Sequence, residues 1–215
     1  MKSTITTKTG DDGQSSALDG ERYPKSHPIM EAVGAVDELR AHLALLRLAI
    51  LHEQPAEYAP LAHFLFWVLH VCFAIGSTCS DPENRKPELH TAAITEAHLA
   101  KLEAEQQRLE EHVRLPKTFV VSASNPVSAQ ADIACTVARR LEREVVRLKE
   151  SLPEFNAADT LRFVNRLSDY LFHTCTIPGT RPAPGGRLPT TLVSAISGWA
   201  IRNSSVPAGE RSTNV

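Results

Sequence analysis

The strongest constraint on this chain is a run of apolar residues spaced by threes and fours. Ile29, Val33, Val36, Leu39, Leu43, Leu46 and Ile50 follow at steps of four, three, three, four, three and four. A helix of 3.6 residues per turn brings such residues onto one face. The spacing predicts a helix over 28–52, with Pro28 in the first turn, where its missing N–H costs no hydrogen bond. A second helix is expected over 60–80, carrying Leu61, Phe64, Leu65, Val68, Leu69, Cys72 and Ile75. It reads as the most buried element, and Asp81–Pro82 stops it. A third, over 91–113, sets Ile94, Leu99, Leu102 and Leu109 among Glu, Gln and Lys, so one face is solvated. A fourth covers 128–150 through Ile133, Val137, Leu141, Val145 and Leu148, and a fifth covers 157–176. Five such helices joined by modest loops make an all-α, up-and-down five-helix bundle.

The flanks read differently. Residues 1–27 are rich in Thr, Ser, Gly, Asp and Lys and carry no apolar period, only a β-prone piece at 3–7. They read as a polar arm or loop. A strand-like piece lies at 118–121. Residues 177–215, rich in Pro, Gly, Ser, Thr and Arg, read as a flexible tail with at most one short element near 192–201. The expected organisation is an arm over 1–27, a bundle over 28–176 and a tail over 177–215. With 215 residues, 23 Lys plus Arg and 25 Asp plus Glu, the net charge is −2. That balance supplies no global field for nucleic acid or an anionic membrane. No apolar run approaches the roughly 18 residues of a membrane span, since His70 interrupts 64–75. The N-terminus lacks a signal-peptide apolar segment. Four cysteines without a CxxC pair suit a reducing, cytoplasmic setting. The histidines show no metal-ligand spacing, and GxSxG, HExxH and dinucleotide glycine fingerprints are absent.

Four segments carry candidate chemistry. The first runs Thr7-Lys8-Thr9-Gly10-Asp11-Asp12-Gly13-Gln14-Ser15-Ser16 and continues through Gly20-Glu21-Arg22-Tyr23-Pro24-Lys25. Glycines let backbone N–H groups converge on an anion, and hydroxyls and lysines add donors. The composition suits a polyphosphate or, equally, a solvated terminus. The second, Arg139-Arg140-Leu141-Glu142-Arg143, puts Arg139 and Arg143 on one stripe, with Cys135 a turn earlier. It reads as a phosphate-binding face or as a salt-bridged solvated one. The third sets Asn165 four residues before Asp169, so they share a helix face. An Asn inside a helix invites either a ligand or an interhelical hydrogen bond. In the fourth, Gly34 lowers helix stability and points to close packing or ligand approach, with Asp37 near the same face.

Taken in order, TKTGDDG, SS, GERYPK, EAVGAVDEL, ARRLEREVV and FVNRLSDYLF resemble the PduO-type ATP:cob(I)alamin adenosyltransferases. The likeness runs from about residue 6 to residue 175. It implies a homotrimer with active sites between subunits. It implies transfer of the 5′-deoxyadenosyl group from ATP to cob(I)alamin as substrate, releasing triphosphate. Co(I) is then the nucleophile and C5′ the electrophile, while the protein positions both. A reductase or a B12-dependent mutase would be a partner.

By the same resemblance, Thr7, Lys8, Thr9, Gly10, Ser15, Ser16 and Lys25 form the phosphate-binding arm. Arg139, Arg140, Glu142, Arg143 and Asn165 complete the ATP face, and Glu142 serves Mg2+ through a water. Phe119 fills the lower face of the corrinoid, beside Cys135. Catalysis would depend on Asp37 and Arg139. Two positions depart from the family pattern. Cys135 stands where the family carries the arginine that pairs with Asp37 across the interface, and Asp132 stands for its histidine. The glycine turn before that helix is replaced by Ser122-Ala123-Ser124-Asn125-Pro126. Arg162 or another basic group is a candidate replacement for the lost counter-charge. The alternative function is a catalytically degenerate paralogue that binds ATP or a corrinoid as carrier or sensor.

Overall fold

The computed structural model describes residues 8–53, 58–90, 92–111 and 125–175, all within the first of two units of the chain, Met1–Arg181. Five α-helices carry the described fold: α1 Pro28–Glu53, α2 Ala59–Ser80, α3 Glu96–Glu110, α4 Pro126–Ser151 and α5 Ala158–Thr174. Their ends are chemically marked. Asn125 caps α4 by accepting from Ser128 N at 2.9 Å, with Pro126 in the first turn. Thr95 and His98 form a reciprocal cap on α3, so that helix begins after Ile94 rather than at 91.

Side-chain pairs fix the helix directions. Gln130 meets His42 and Arg140 meets Glu38, so α4 runs against α1. Arg40 lies over Phe73 and Arg47 over Phe66, so α2 runs against α1. Cys135 meets Ser168 and Glu142 meets Asn165, so α5 runs against α4. Glu96 pairs with Arg162 and Glu103 with Arg166, so α3 runs along α5. The result is an up-and-down bundle, as the periodicity predicts. Phe64 and Trp67 of α2 reach Tyr170 and Phe163 of α5 and close the ring of helices. Leu39, Leu43, Leu46 and Ile50 of α1 are buried against Leu65, Val68 and Ile75 of α2 and Leu141, Val145 and Leu148 of α4.

Three expectations are corrected. The arm is not all loop: β1 Gln14–Ser16 and β2 Arg22–Pro24 pair antiparallel, with Ser15 opposite Tyr23. Strands this short and polar carry no period-two apolar signal. Second, α2 is not enclosed on all sides, since Phe66 and Phe73 are each 49% exposed beneath the stacked arginines. Third, α2 is long and apolar enough to match a membrane span by composition, with 22 residues and mean hydropathy 1.7, yet half of that window is buried in the bundle. A core helix meets the same criterion. Among the described residues nothing packs against Gly34, and a Cβ there would meet open space, so the approach of a ligand or a second copy expected at Gly34 stays open. The pieces at 3–7, 118–121 and 192–201 lie outside the described residues.

Candidate functional site

The arm is a network of backbone turns. Gly13 N donates to Gly10 O at 3.2 Å, and Lys25 N donates to Gly13 O at 2.9 Å. Gly13 holds φ +80°, a left-handed conformation that glycine adopts without a Cβ penalty. Lys8 also has positive φ, 62°. Lys25 Nζ donates to Gly10 O at 2.9 Å, and Arg22 pairs with Asp12 at 3.2 Å. These contacts draw Lys8, Gly10, Lys25 and the Ser15–Ser16 strand into one exposed hairpin, with Thr9 in the turn below Arg22. Thr7 lies outside the described residues.

The hairpin is held to the end of α2. Leu18 N donates to Ser80 Oγ at 2.8 Å, and Asp19 N reaches Ser80 O at 3.4 Å. Next to Ser80, the buried Asp81 carboxylate accepts from Arg85 N and Lys86 N, each at 2.8 Å, and contacts His90 Nε2 at 2.9 Å. Burial alone would raise its pKa. The two backbone N–H groups and His90 outweigh burial and hold Asp81 below the usual carboxylate range. Ser80 and Asp19 carry no sequence signal of their own. Asp81 carried a signal only as a helix stop before Pro82.

The second half of the site lies on α4 and α5. Asn165 Nδ2 donates to Glu142 Oε1 at 3.2 Å, and Asn165 Oδ1 accepts from Arg166 Nη1 at 3.0 Å. Arg166 is tethered in turn to Glu103 of α3 at 3.3 Å. Asn165 therefore makes the interhelical hydrogen bond that a mid-helix Asn suggests, and its partner is another predicted site residue. Arginines nearby are mostly neutralised: Arg140 by Glu38, Arg147 by Glu144, Arg162 by Glu96. Arg139 and Arg143 differ. Both are exposed, Arg143 Nη1 donates to Arg139 O at 3.0 Å, and among the described residues no carboxylate pairs with either. Two unneutralised guanidiniums one turn apart are suited to an oxyanion.

Asp37 is exposed and pairs with Arg40, three residues on, at 2.9 Å. Arg40 also stacks on Phe73, 4.6 Å from the ring centre. Arg162 is engaged with Glu96 instead. Cys135 is buried between α4 and α5, and its thiol donates to Ser168 O at 3.3 Å. Burial pushes its pKa up, so the thiol stays protonated at neutral pH. The other three cysteines are also buried, with Cys72, Cys79 and Cys175 each pushed up to about 12, chiefly by burial. We expect a thiol reagent to label none of the four in native protein within minutes and all four after denaturation. Rapid native labelling of one, read by intact mass, would contradict this packing. Phe119 lies outside the described residues.

Comparison with known proteins converges on one family. A family model described as cobalamin adenosyltransferase matches residues 5–177. Corrinoid adenosyltransferase PduO of Salmonella typhimurium is 34% identical over 170 residues, covering 78% of this chain and 47% of the relative. Corrinoid adenosyltransferase MMAB of Homo sapiens is 34% identical over 78% of this chain and 66% of its own. The chain thus spans about half to two thirds of these two relatives. The Bacillus subtilis corrinoid adenosyltransferase is 32% identical and is covered over 88% of its length. Among solved structures, a variant PduO-type ATP:corrinoid adenosyltransferase from Lactobacillus reuteri, complexed with cobalamin and ATP, superposes with a TM-score of 0.70. It is 25% identical, covering 80% of this chain and 89% of that one. Another variant from the same source, complexed with ATP, gives 0.67 at 26% identity, covering 80% and 92%.

Proposed function

The chain belongs to the cobalamin adenosyltransferase family, and from that we infer that it transfers the 5′-deoxyadenosyl group of ATP to cob(I)alamin and releases triphosphate. The observation that carries this reading is the unneutralised pair Arg139 and Arg143 beside the Glu142–Asn165 hydrogen bond, in a fold shared with a relative complexed with cobalamin and ATP. Co(I) attacks C5′, the C5′–O bond breaks, and the electron pair leaves with the triphosphate. The protein's work is to hold that anion and aim C5′.

In this reading, Thr7, Lys8, Thr9, Gly10, Ser15, Ser16 and Lys25 grip the phosphates from the hairpin. Arg139 and Arg143 bind them from α4. Arg140, turned to Glu38, acts at the edge of that face. Glu142 fits Mg2+: Asn165 occupies Oε1, and a carboxylate keeps further lone pairs for a metal-bound water. Mg2+ typically binds through one or two carboxylates, waters and substrate phosphates, and would supply charge neutralisation there. Phe119 and Cys135 belong to the corrinoid side.

The same reading includes a homotrimer. α1 carries large apolar residues on its outward side as well as its inward one, among charged ones. Gly34, Asp37, Ala41, Leu45 and Leu48 form an exposed stripe, with Leu45 53% exposed, beside Phe66 and Phe73 of α2. An exposed patch of large apolar residues of this kind is suited to burial, here by a second copy. Asp37 lies on that stripe, and Arg40 supports it in place of the arginine absent at position 135. The arm over 1–27, the bundle over 28–176 and the tail over 177–215 remain our division of the chain. A reductant must deliver Co(I), and an adenosylcobalamin-dependent mutase is the fitting recipient. Cys72, Cys79 and Cys135, buried as thiols, suit a reducing cytoplasm.

The test is an anaerobic absorbance assay with cob(I)alamin and MgATP. We expect loss of the Co(I) band and formation of one triphosphate per adenosylcobalamin. Buried Cys135 favours the second reading, a binding paralogue. Folded, trimeric protein that binds MgATP without turnover would establish that reading and sink the first.

A further inference from the structure

We propose that Tyr23, Asp19 and Ser80 are positioning residues that set the phosphate-binding hairpin on the end of α2. The proposal rests on the ATP-binding role given to that hairpin. Three observations carry it. Tyr23 lies directly opposite Ser15 in the hairpin register, so whatever fixes Tyr23 fixes the strand of Ser15 and Ser16. Its phenol donates to Asp19 Oδ2 at 2.6 Å, while Asp19 Oδ1 accepts from Glu21 N at 2.9 Å. Ser80, the last residue of α2, takes Leu18 N on its hydroxyl at 2.8 Å and Asp19 N on its carbonyl at 3.4 Å.

The arrangement solves an electrostatic problem. A carboxylate within an anion-binding arm would repel a triphosphate if it faced it. Asp19 is buried, and both of its oxygens are committed to donors within the hairpin. Its charge is spent on shape. Burial first, and the Asp19 hydrogen bond next, push the Tyr23 phenol up to about 12, so the donor keeps its proton throughout the working pH range. Lys25, two residues past Tyr23, closes on Gly10 O, so an error at Tyr23 reaches the lysine as well. Two polar strands of three residues have too little apolar surface to hold a register alone. The rigid end of α2 supplies it.

The experiment uses the full chain with Tyr23→Phe, Ser80→Ala and Ser80→Thr, reading steady-state kinetics and amide exchange at Leu18. The expected result for Tyr23→Phe and Ser80→Ala is a KM for ATP raised about tenfold, with kcat and the KM for cob(I)alamin within twofold. Leu18 should exchange faster in both, and Ser80→Thr, which keeps the hydroxyl, should restore parent values. A purely structural role would lower thermal stability and leave the KM for ATP unmoved, which overturns the proposal. Parent protein that binds MgATP beside variants with unchanged KM overturns the anchor alone. Parent protein that binds no MgATP overturns the site reading and the anchor's role with it.

Discussion

Arg139→Ala is expected to lower kcat/KM for ATP about 100-fold, equivalent to about 2.7 kcal/mol, while leaving the fold intact. The two halves of this expectation rest on the same observation. Arg139 is exposed on α4, and among the described residues no carboxylate pairs with it, so its removal breaks no structural ion pair. Its neighbours provide the contrast: Arg140 and Arg162 hold α4 to α1 and α5 to α3 through Glu38 and Glu96. Arg140→Ala should therefore cost stability more than turnover. A planar guanidinium donates two parallel bonds to a phosphate, and lysine cannot copy that geometry, so Arg139→Lys should recover only part of the loss. Equal thermal midpoints beside the kinetic gap would support the assignment. A midpoint that falls with the activity would mean that Arg139 is structural.

Asp81→Ala is expected to lower folding stability by about 3 kcal/mol, because it leaves the N–H groups of Arg85 and Lys86 without acceptors in a buried corner. For a protein of this size that is a fall of about 6–12 °C in Tm. The pH dependence follows from the direction of the shift. Asp81 is held below its ordinary pKa in the folded state. Its contribution is therefore full above the unfolded value of about 3.9 and is lost as pH falls through the folded value. Asp81→Asn should flatten the fall of stability below about pH 4, which thermal melts across pH 3–6 would reveal. Parallel curves for parent and Asp81→Asn would show that the carboxylate charge plays no part. Because Ser80 precedes Asp81 and holds the hairpin, the alanine variant should also weaken ATP binding.

The helices were legible because their signal is local. The apolar stripe of α1 needs only its own residues, and all of it is buried except Val33, which is half-buried. The hairpin was not legible, since Gln14–Ser16 against Arg22–Pro24 has one large apolar residue, Tyr23, and takes its register from α2. For the site, the motif residues were found from sequence, but their pairings were not. Glu142 and Asn165 are 23 positions apart and meet because α4 and α5 run antiparallel. The sequence left the basic partner of Asp37 open between Arg162 and another group; within the chain the packing gives Asp37 to Arg40 and Arg162 to Glu96.

The amino-acid sequence by itself determined which segments are helical, where most of them end and which residues are candidates for phosphate chemistry. Those properties depend on periodicity, caps and side-chain type within a few turns of chain. The tertiary structure alone decided which arginines are neutralised, which cysteines are sealed from solvent and what holds the hairpin. Those properties depend on the relative placement of helices distant in sequence, and an ion pair of a few ångströms is set by that placement rather than by spacing along the chain.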